Sequence, residues 1–300
     1  MTIIWGSNFA VIKTAFRELP PQAFNTLRLI VAAIAFLLVM GASRVMARGS
    51  QSDIFRTPTR VTPREWLALA ALGLVGHSLY QYFFIGGLAR TSVANSSLVL
   101  AASPVVIALL SAAVGHERVN ATHWAGAVVS AFGIYLVVGQ GFVLERSGLT
   151  GDLMMFAAVC CWAVYTIGAR PLMARHSPVG ITGLSMALGT AIYLPVSWSS
   201  IRAVDWSTVS AWTIGLLVYS ALFALCVAYT IWYIGVRQIG SSRTAAYSNF
   251  IPIVAMISAV VFLGEPISAR KIAGAAAVLA GVALTRMTLS QETRREPAGD

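Results

Sequence analysis

Apolar residues recur along this chain in long runs, each close to the length of a bilayer crossing and each closed by a short polar stretch. Ten such runs can be drawn, at approximately 2–17, 21–41, 65–88, 92–115, 121–139, 152–171, 178–199, 208–236, 242–263 and 269–287. A bilayer core about 30 Å thick takes about 20 apolar residues in helical form. The pattern therefore predicts an all-α integral membrane protein with ten transmembrane helices. The first run is short, since Thr2 to Ala15 would rise only about 21 Å at ~1.5 Å per residue. A natural start upstream, or a trimmed chain, is the expectation for this helix. A cleaved signal peptide is disfavoured because Asn8 and Lys13 interrupt its apolar core and no basic leader precedes it. Several helix starts carry caps: Asn120 and Ser268 before the fifth and tenth spans, and Asp152 after Gly151 for the sixth.

The runs are not independent. Residues 87–137 recur as 235–285 at a shift of 148, which lays Gly87 on Gly235, Pro104 on Pro252 and Glu117 on Glu265. Gly126 falls on Gly274 and Gly133 on Gly281 in the same register. More faintly, Trp5 and Lys13 lie 157 residues before Trp162 and Arg170, the difference being absorbed by the long loop 42–64. Five spans per half is an odd number, so the second half must enter the membrane from the opposite side. The expected organisation is two inverted five-helix repeats, 1–140 and 148–287, with a disordered cytoplasmic tail at 288–300. Inverted halves let a site between them face the two sides in turn, a symmetry that a membrane enzyme or receptor does not need.

Composition agrees with the pattern. Hydrophobic residues make up 57% of the chain and charged residues 11%, against about a quarter charged in a soluble domain. The formal charge of +10 is dispersed between apolar runs rather than gathered on an aromatic-bearing patch, which fits a membrane surface and no nucleic acid. With the N-terminus inside, the inner loops hold thirteen Lys and Arg and the outer loops six. That bias places both termini in the cytoplasm. Cys160, Cys161 and Cys226 have neither metal-ligand nor disulfide spacing, so no metal and no cofactor are expected.

Several stretches carry a family resemblance: WGSNFAVIK from Trp5, ELPPQAFNTLR from Glu18, TSVANSSLVLAASP from Thr91, GHER from Gly115, GSSRTAAYSNFIP from Gly240 and LGEP from Leu263. In these the chain resembles the drug/metabolite transporter superfamily, EamA-type ten-helix exporters. The resemblance implies export of amino acids, other metabolites or toxic compounds across the bacterial inner membrane, with relatives that carry sugar nucleotides. Two departures stand out: the first span lacks its usual upstream turns, and His116 precedes Glu117 where a small or apolar residue is usual.

Polar groups at membrane depth are costly unless they are paired or line a wet cavity, so they are the default site candidates. In the first span Trp5, Asn8 and Ile12 share a helical face. Asn8 can donate and accept, which suits a zwitterion or amide, although an interhelical bond that only holds helices together is the alternative. The third span supplies His77, Tyr80, Gln81 and Phe84, and the eighth Tyr229 and Trp232 with Tyr233. The sixth adds Trp162 and Tyr165, the ninth Tyr247 and Asn249 with Phe250. Interfacial aromatic belts are the competing reading for some of these. An aromatic pocket suits an apolar or aromatic side chain, or an organic cation, the last disfavoured by the absence of a mid-membrane carboxylate.

The remaining candidates are structural. Lys13 and Arg28, near the outer ends of their spans, can attract a carboxylate. Snorkelling is the alternative for Lys13, and Arg28 is grouped with the structural residues. Glu117 and Glu265 close helices and read as braces. Gly126, Gly133, Gly274 and Gly281 read as packing positions, and Pro104 and Pro252 as gating hinges. Without acids near mid-span, a facilitator or weakly coupled exporter is expected, with His77 the one interior titrating group. The expected partners are a small-molecule substrate and the lipid bilayer, and the expected unit is a monomer or weak homodimer. A lipid-modifying membrane enzyme is the alternative from another class, but the four histidines are dispersed and lack a carboxylate motif.

Overall fold

The computed structural model describes residues 1–46, 54–55, 60–114, 121–138 and 146–295. Helices carry the fold, and no strand occurs among the described residues. In chain order they are α1 (Thr2–Ala15), α2 (Pro21–Met46), α3 (Pro63–Arg90), α4 (Val93–Ala113), α5 (Ala121–Val138) and α6 (Arg146–Gly168). There follow α7 (Pro178–Arg202), α8 (Ala211–Ile239), α9 (241–263) and α10 (Ala269–Arg295). Six described stretches are long and apolar enough to cross a bilayer: Pro21–Ser43, Pro63–Arg90, Val93–Ala113, Gly148–Ala174, Pro178–Arg202 and Ala211–Ile239. Ile251–Leu263 is a shorter apolar helix.

Local chemistry sets the helix ends. Pro21, Pro63 and Pro178 open α2, α3 and α7, where a missing N–H costs nothing. Ser92, Ser177 and Ser210 accept the N–H of Asn95, Gly180 and Thr213 at 3.1, 3.0 and 3.2 Å, and Thr62 with Glu65 forms a reciprocal capping box. Gly240 (φ 87°) and Gly264 (φ 67°) end α8 and α9 in a region closed to most side chains. Carboxylates tie the helix connections together at two places. At one, Glu18 accepts from Ser210 N and Oγ, both at 2.8 Å, and these bonds hold its carboxyl below the usual carboxylate range. At the other, Glu65 pairs with Arg175 and His176, each at 3.1 Å.

Two departures from regular helix recur. α3 and α8 each contain a widened π turn, Leu74–Leu79 and Ser220–Val227. α4 and α9 are each interrupted: α4 at Ala101 and Ala102, between Val93–Leu100 and Ser103–Ala113, and α9 at Ser248–Phe250. Pro104 and Pro252 stand in the first turn after these interruptions, so each begins a new segment rather than kinking a continuous helix.

The helices pack as α2 on α7, α3 on α6, α1 on α9 and α5 on α10. The α5–α10 seam is built on glycine. A Cβ on Gly133 would lie 2.8 Å from Gly274 O and 2.7 Å from Val278 N, and one on Gly281 would lie 2.5 Å from Gly126 O. Midway between these contacts Ser130 Oγ donates to Val278 O at 3.4 Å.

Two expectations change. α6 begins at Arg146, so Asp152 is not its cap but stands inside the helix, buried. α10 continues to Arg295, so residues 288–295 are helical rather than a disordered tail. Glu117, His116 and Asn120 lie outside the described residues.

The seam predicts a matched pair of results. Gly133→Ala must push backbone apart and is expected to destabilise the protein by about 1–3 kcal/mol. Gly41→Ala meets open space and should leave stability unchanged or raise it by up to about 1 kcal/mol. Thermal unfolding of the detergent-solubilised variants checks both.

Candidate functional site

Seven of these helices surround a cavity with about 660 Å³ of non-atom space, open solvent included. α1 contributes Trp5, Asn8 and Phe9, α3 contributes Tyr80, Gln81 and Phe84, and α6 contributes Trp162. α8 adds Ala224, Leu225, Tyr229 and Trp232. The interrupted helices present their breaks, α4 through Ser97, Leu100, Ala101 and Ser103, α9 through Ser248 and Ile251.

Four aromatic rings form one wall. Trp162 lies 5.8 Å from Trp5, 5.2 Å from Tyr229 and 5.1 Å from Trp232, centroid to centroid. Edge-on and tilted pairs of this kind add about 0.5–1.5 kcal/mol each beyond buried area. The Trp5 indole N–H donates to Ala224 O at 2.9 Å, a carbonyl inside the π turn of α8. Behind this wall His77 Nε2, Tyr165 OH and Ser185 Oγ form a closed triangle of 2.8, 3.2 and 3.2 Å.

Arg28 of α2 is 1% exposed and also lines the cavity, its guanidinium 6.0 Å from the centre of the Phe84 ring. Its Nε donates to Asn25 Oδ1 at 3.0 Å, Nη1 to Ser220 Oγ at 3.0 Å and Nη2 to Gln81 Oε1 at 2.5 Å. All three acceptors are neutral, and no carboxylate is among the cavity residues. A guanidinium has five N–H donors. Three are used here, which leaves one on each terminal nitrogen.

Comparison with known proteins gives the family. The model of the EamA-like transporter family matches the chain twice, over residues 1–139 and 149–287. The chain belongs to the EamA-like transporter family. It is a multi-pass membrane transporter, not an enzyme. It is 26% identical over 286 residues to an uncharacterized transporter of Bacillus subtilis, covering 94% of this chain and 89% of that one. It is 27% identical to a probable amino-acid metabolite efflux pump of Salmonella typhimurium, covering 94% and 91%. It is 26% identical to a probable terminal-alkyne amino-acid exporter of Streptantibioticus cattleyicolor, covering 98% and 93%. A solved structure shares the fold, with a TM-score of 0.68, 20% identity and coverage of 97% and 95%.

In this EamA-like transporter the candidates named from sequence divide into three groups. Trp5, Asn8, Tyr80, Gln81, Phe84, Trp162, Tyr229 and Trp232 meet at the cavity. His77 and Tyr165 stand behind it. Ile12 and Tyr247 do not belong to it. Ile12 shares the face of Trp5 but lies about 10 Å further along α1, fully buried in a hydrophobic cluster with Leu88 and Val159. Tyr247 is 55% exposed and does not line the cavity. The Asn249 side chain is outside the described set. Arg28, grouped with the structural residues, reaches the site itself. Glu265 accepts from Val93 N and Ala94 N at 3.0 and 3.4 Å, at the start of α4.

Phe9, Ser97, Leu100, Ala101, Ser103, Ala224, Leu225, Ser248 and Ile251 line the cavity without having been singled out. The repeat register carried the signal. At a shift of 148, Gln81 matches Tyr229, Phe84 matches Trp232, Leu100 matches Ser248 and Ser103 matches Ile251; at 157, Trp5 matches Trp162. Both members of each pair line the cavity.

Gln81→Leu should strand a buried guanidinium donor and destabilise the protein by about 1.5–3 kcal/mol. Tyr229→Phe, which breaks only a 3.4 Å bond from Gln81, should cost less. The detergent melting midpoints of the two variants test the ranking.

Proposed function

We propose that this protein exports small amphiphilic carboxylates, amino acids first among them, by alternating access of two inverted five-helix repeats. The observation that carries the substrate class is Arg28: a fully buried cation, held by neutral acceptors, with two N–H groups left over beside an aromatic cavity. Burying such a charge is costly without a counter-ion. A substrate carboxylate supplies it in bidentate geometry, while Asn8, whose Oδ1 is buried without a hydrogen-bond partner, suits an α-ammonium group. The Trp5–Trp162–Tyr229–Trp232 wall then takes an apolar or aromatic side chain. The named amino-acid exporters among the relatives support the same class.

Three features support the inverted repeats. Ser130 bonds Val278, and Gln81 bonds Tyr229, each pair 148 residues apart. Register-equivalent residues that touch across antiparallel helices lie near a two-fold axis. The glycine seam obeys the same rule, with Gly126 opposite Gly281 and Gly133 opposite Gly274. The π turns and helix interruptions also recur in register, so both halves carry the same joints around the cavity. In this reading the functional unit lies in the inner membrane with ten spans and both termini cytoplasmic.

The test has two parts. Metabolite analysis of medium from cells with and without the protein should show accumulation of amino acids or related acids. In proteoliposomes, wild type should carry labelled phenylalanine in preference to phenylalaninamide. Arg28→Gln should lower phenylalanine transport at least about tenfold, the loss of a charge-assisted bond. Arg28→Lys, which cannot bind bidentately, should recover little. Equal transport of acid and amide by wild type would refute the role of Arg28.

A further inference from the structure

The turn between α3 and α4 bounds a second polar site, separate from the cavity. Asp152 stands in the second turn of α6, 4% exposed, and neither carboxylate oxygen makes a hydrogen bond of normal geometry. Thr91, from the α3–α4 turn, and Asn95, from the first turn of α4, face it. Asn95 Oδ1 is also buried without a partner. Thr91 and Asn95 carry side-chain donors that favour the charged carboxylate, but neither meets it in normal hydrogen-bond geometry.

Among the described residues no cation forms an ion pair with Asp152. Lys271 of α10 is near Asp152, but its ammonium is 3.5 Å from Ser92 Oγ, and among the described residues the ion pairs are those of Glu65. Arg90, at the end of α3, donates from Nη1 to Gly86 O at 2.8 Å. Glu265 receives the Val93 and Ala94 N–H groups, and Lys13 of α1 lies within electrostatic reach of that carboxylate. α6 packs closely on α3 here, where a Cβ on Gly151 would stand 3.1 Å from Gly87 O.

A buried carboxylate with no well-formed hydrogen bond and no ion pair is among the least favourable groups a fold can hold. One proton relieves it, since a neutral carboxyl costs far less to bury. We propose that Asp152 is a proton-binding site and that this proton is coupled to substrate export. The coupling rests on the transport reading above, the proton site does not. Asn95 lies two residues before Ser97, which lines the cavity, and both ride on the α4 segment Val93–Leu100 that ends at the interruption. Movement of that segment changes the cavity wall and the surroundings of Asp152 together. The step is the gain of a proton by the carboxylate in one conformation and its loss in the other. A coupled carrier replaces the facilitator expected from the lack of mid-span acids, and Asp152 replaces His77 as the interior titrating group.

Difference infrared spectroscopy of the purified full chain, titrated from acid to alkaline pH in sodium-free buffer, tests the proton site without any substrate. Wild type should show a titrating protonated-carboxyl band that Asp152→Asn removes and Asp152→Glu shifts. The Asp152→Glu spectrum decides the assignment should the Asn variant not fold. An unchanged band in both variants, or a band that responds to added sodium chloride at fixed pH, overturns it. In a second arm, pyranine-loaded proteoliposomes receive phenylalanine. Wild type should move protons with phenylalanine at a rate at least about tenfold above Asp152→Asn. Phenylalanine flux without proton movement overturns the coupling while leaving the transport reading intact. Absence of phenylalanine flux with the infrared band present counts against the transport reading and leaves the proton site standing.

Discussion

Backbone amides surrounded by hydrocarbon have no water to bond, so a chain crossing a bilayer must satisfy them within its own helices. Irregular backbone is then tolerable only where it meets protein or a cavity. The interruptions of α4 and α9 meet this condition, because both line the central space. So does the π turn of α8, whose Ala224 carbonyl takes the Trp5 indole N–H and whose Ser220 hydroxyl takes an Arg28 N–H. The places where helix geometry fails are the places where polar chemistry gathers.

The cavity is built from matched positions that hold unlike residues. Gln81 stands opposite Tyr229, Phe84 opposite Trp232 and Leu100 opposite Ser248. Arg28 has no basic counterpart, since Pro21 corresponds to Pro178 at a shift of 157, and the same shift carries Arg28 to Ser185. Ser185 sits behind the aromatic wall with His77 and Tyr165. Two halves of one scaffold thus give a site that combines a single cationic group with an array of rings. Such polarity can orient an amphiphile, which a strictly symmetric pocket cannot. Residues inside the repeated block also line the site, so the division between a repeated scaffold and divergent specificity elements is incomplete.

Much of this was legible along the chain. Apolar run lengths mark the helices, and the 148-residue register identifies the glycine seam, the two prolines and, read further, eight of the eighteen residues that line the cavity. Trp5, Asn8, Gln81 and Trp162 were visible because polar and aromatic groups within a span are costly without a partner. Ile12 and Tyr247 fall outside the cavity lining, because periodicity reports the face of a helix and not the depth at which a cavity ends. Asp152 was misread for a related reason: the helix start was placed at the first apolar residue, whereas α6 begins at Arg146.

Sequence by itself determined the helical class, the doubling of the chain and the family, since these follow from hydrophobicity and spacing that no packing can alter. Tertiary structure alone decided that Arg28 faces the cavity with two donors free, and that Asp152 lies buried beside Asn95. Both depend on residues far apart in the chain, Ser220 and Gln81 for the first, Thr91 and Lys271 for the second. A charge in an apolar run has the same sequence signature whether it snorkels to water, pairs with a neighbour or waits for a ligand. Only the positions of its potential partners distinguish these cases, because the cost of burying it depends on what stands within hydrogen-bond distance.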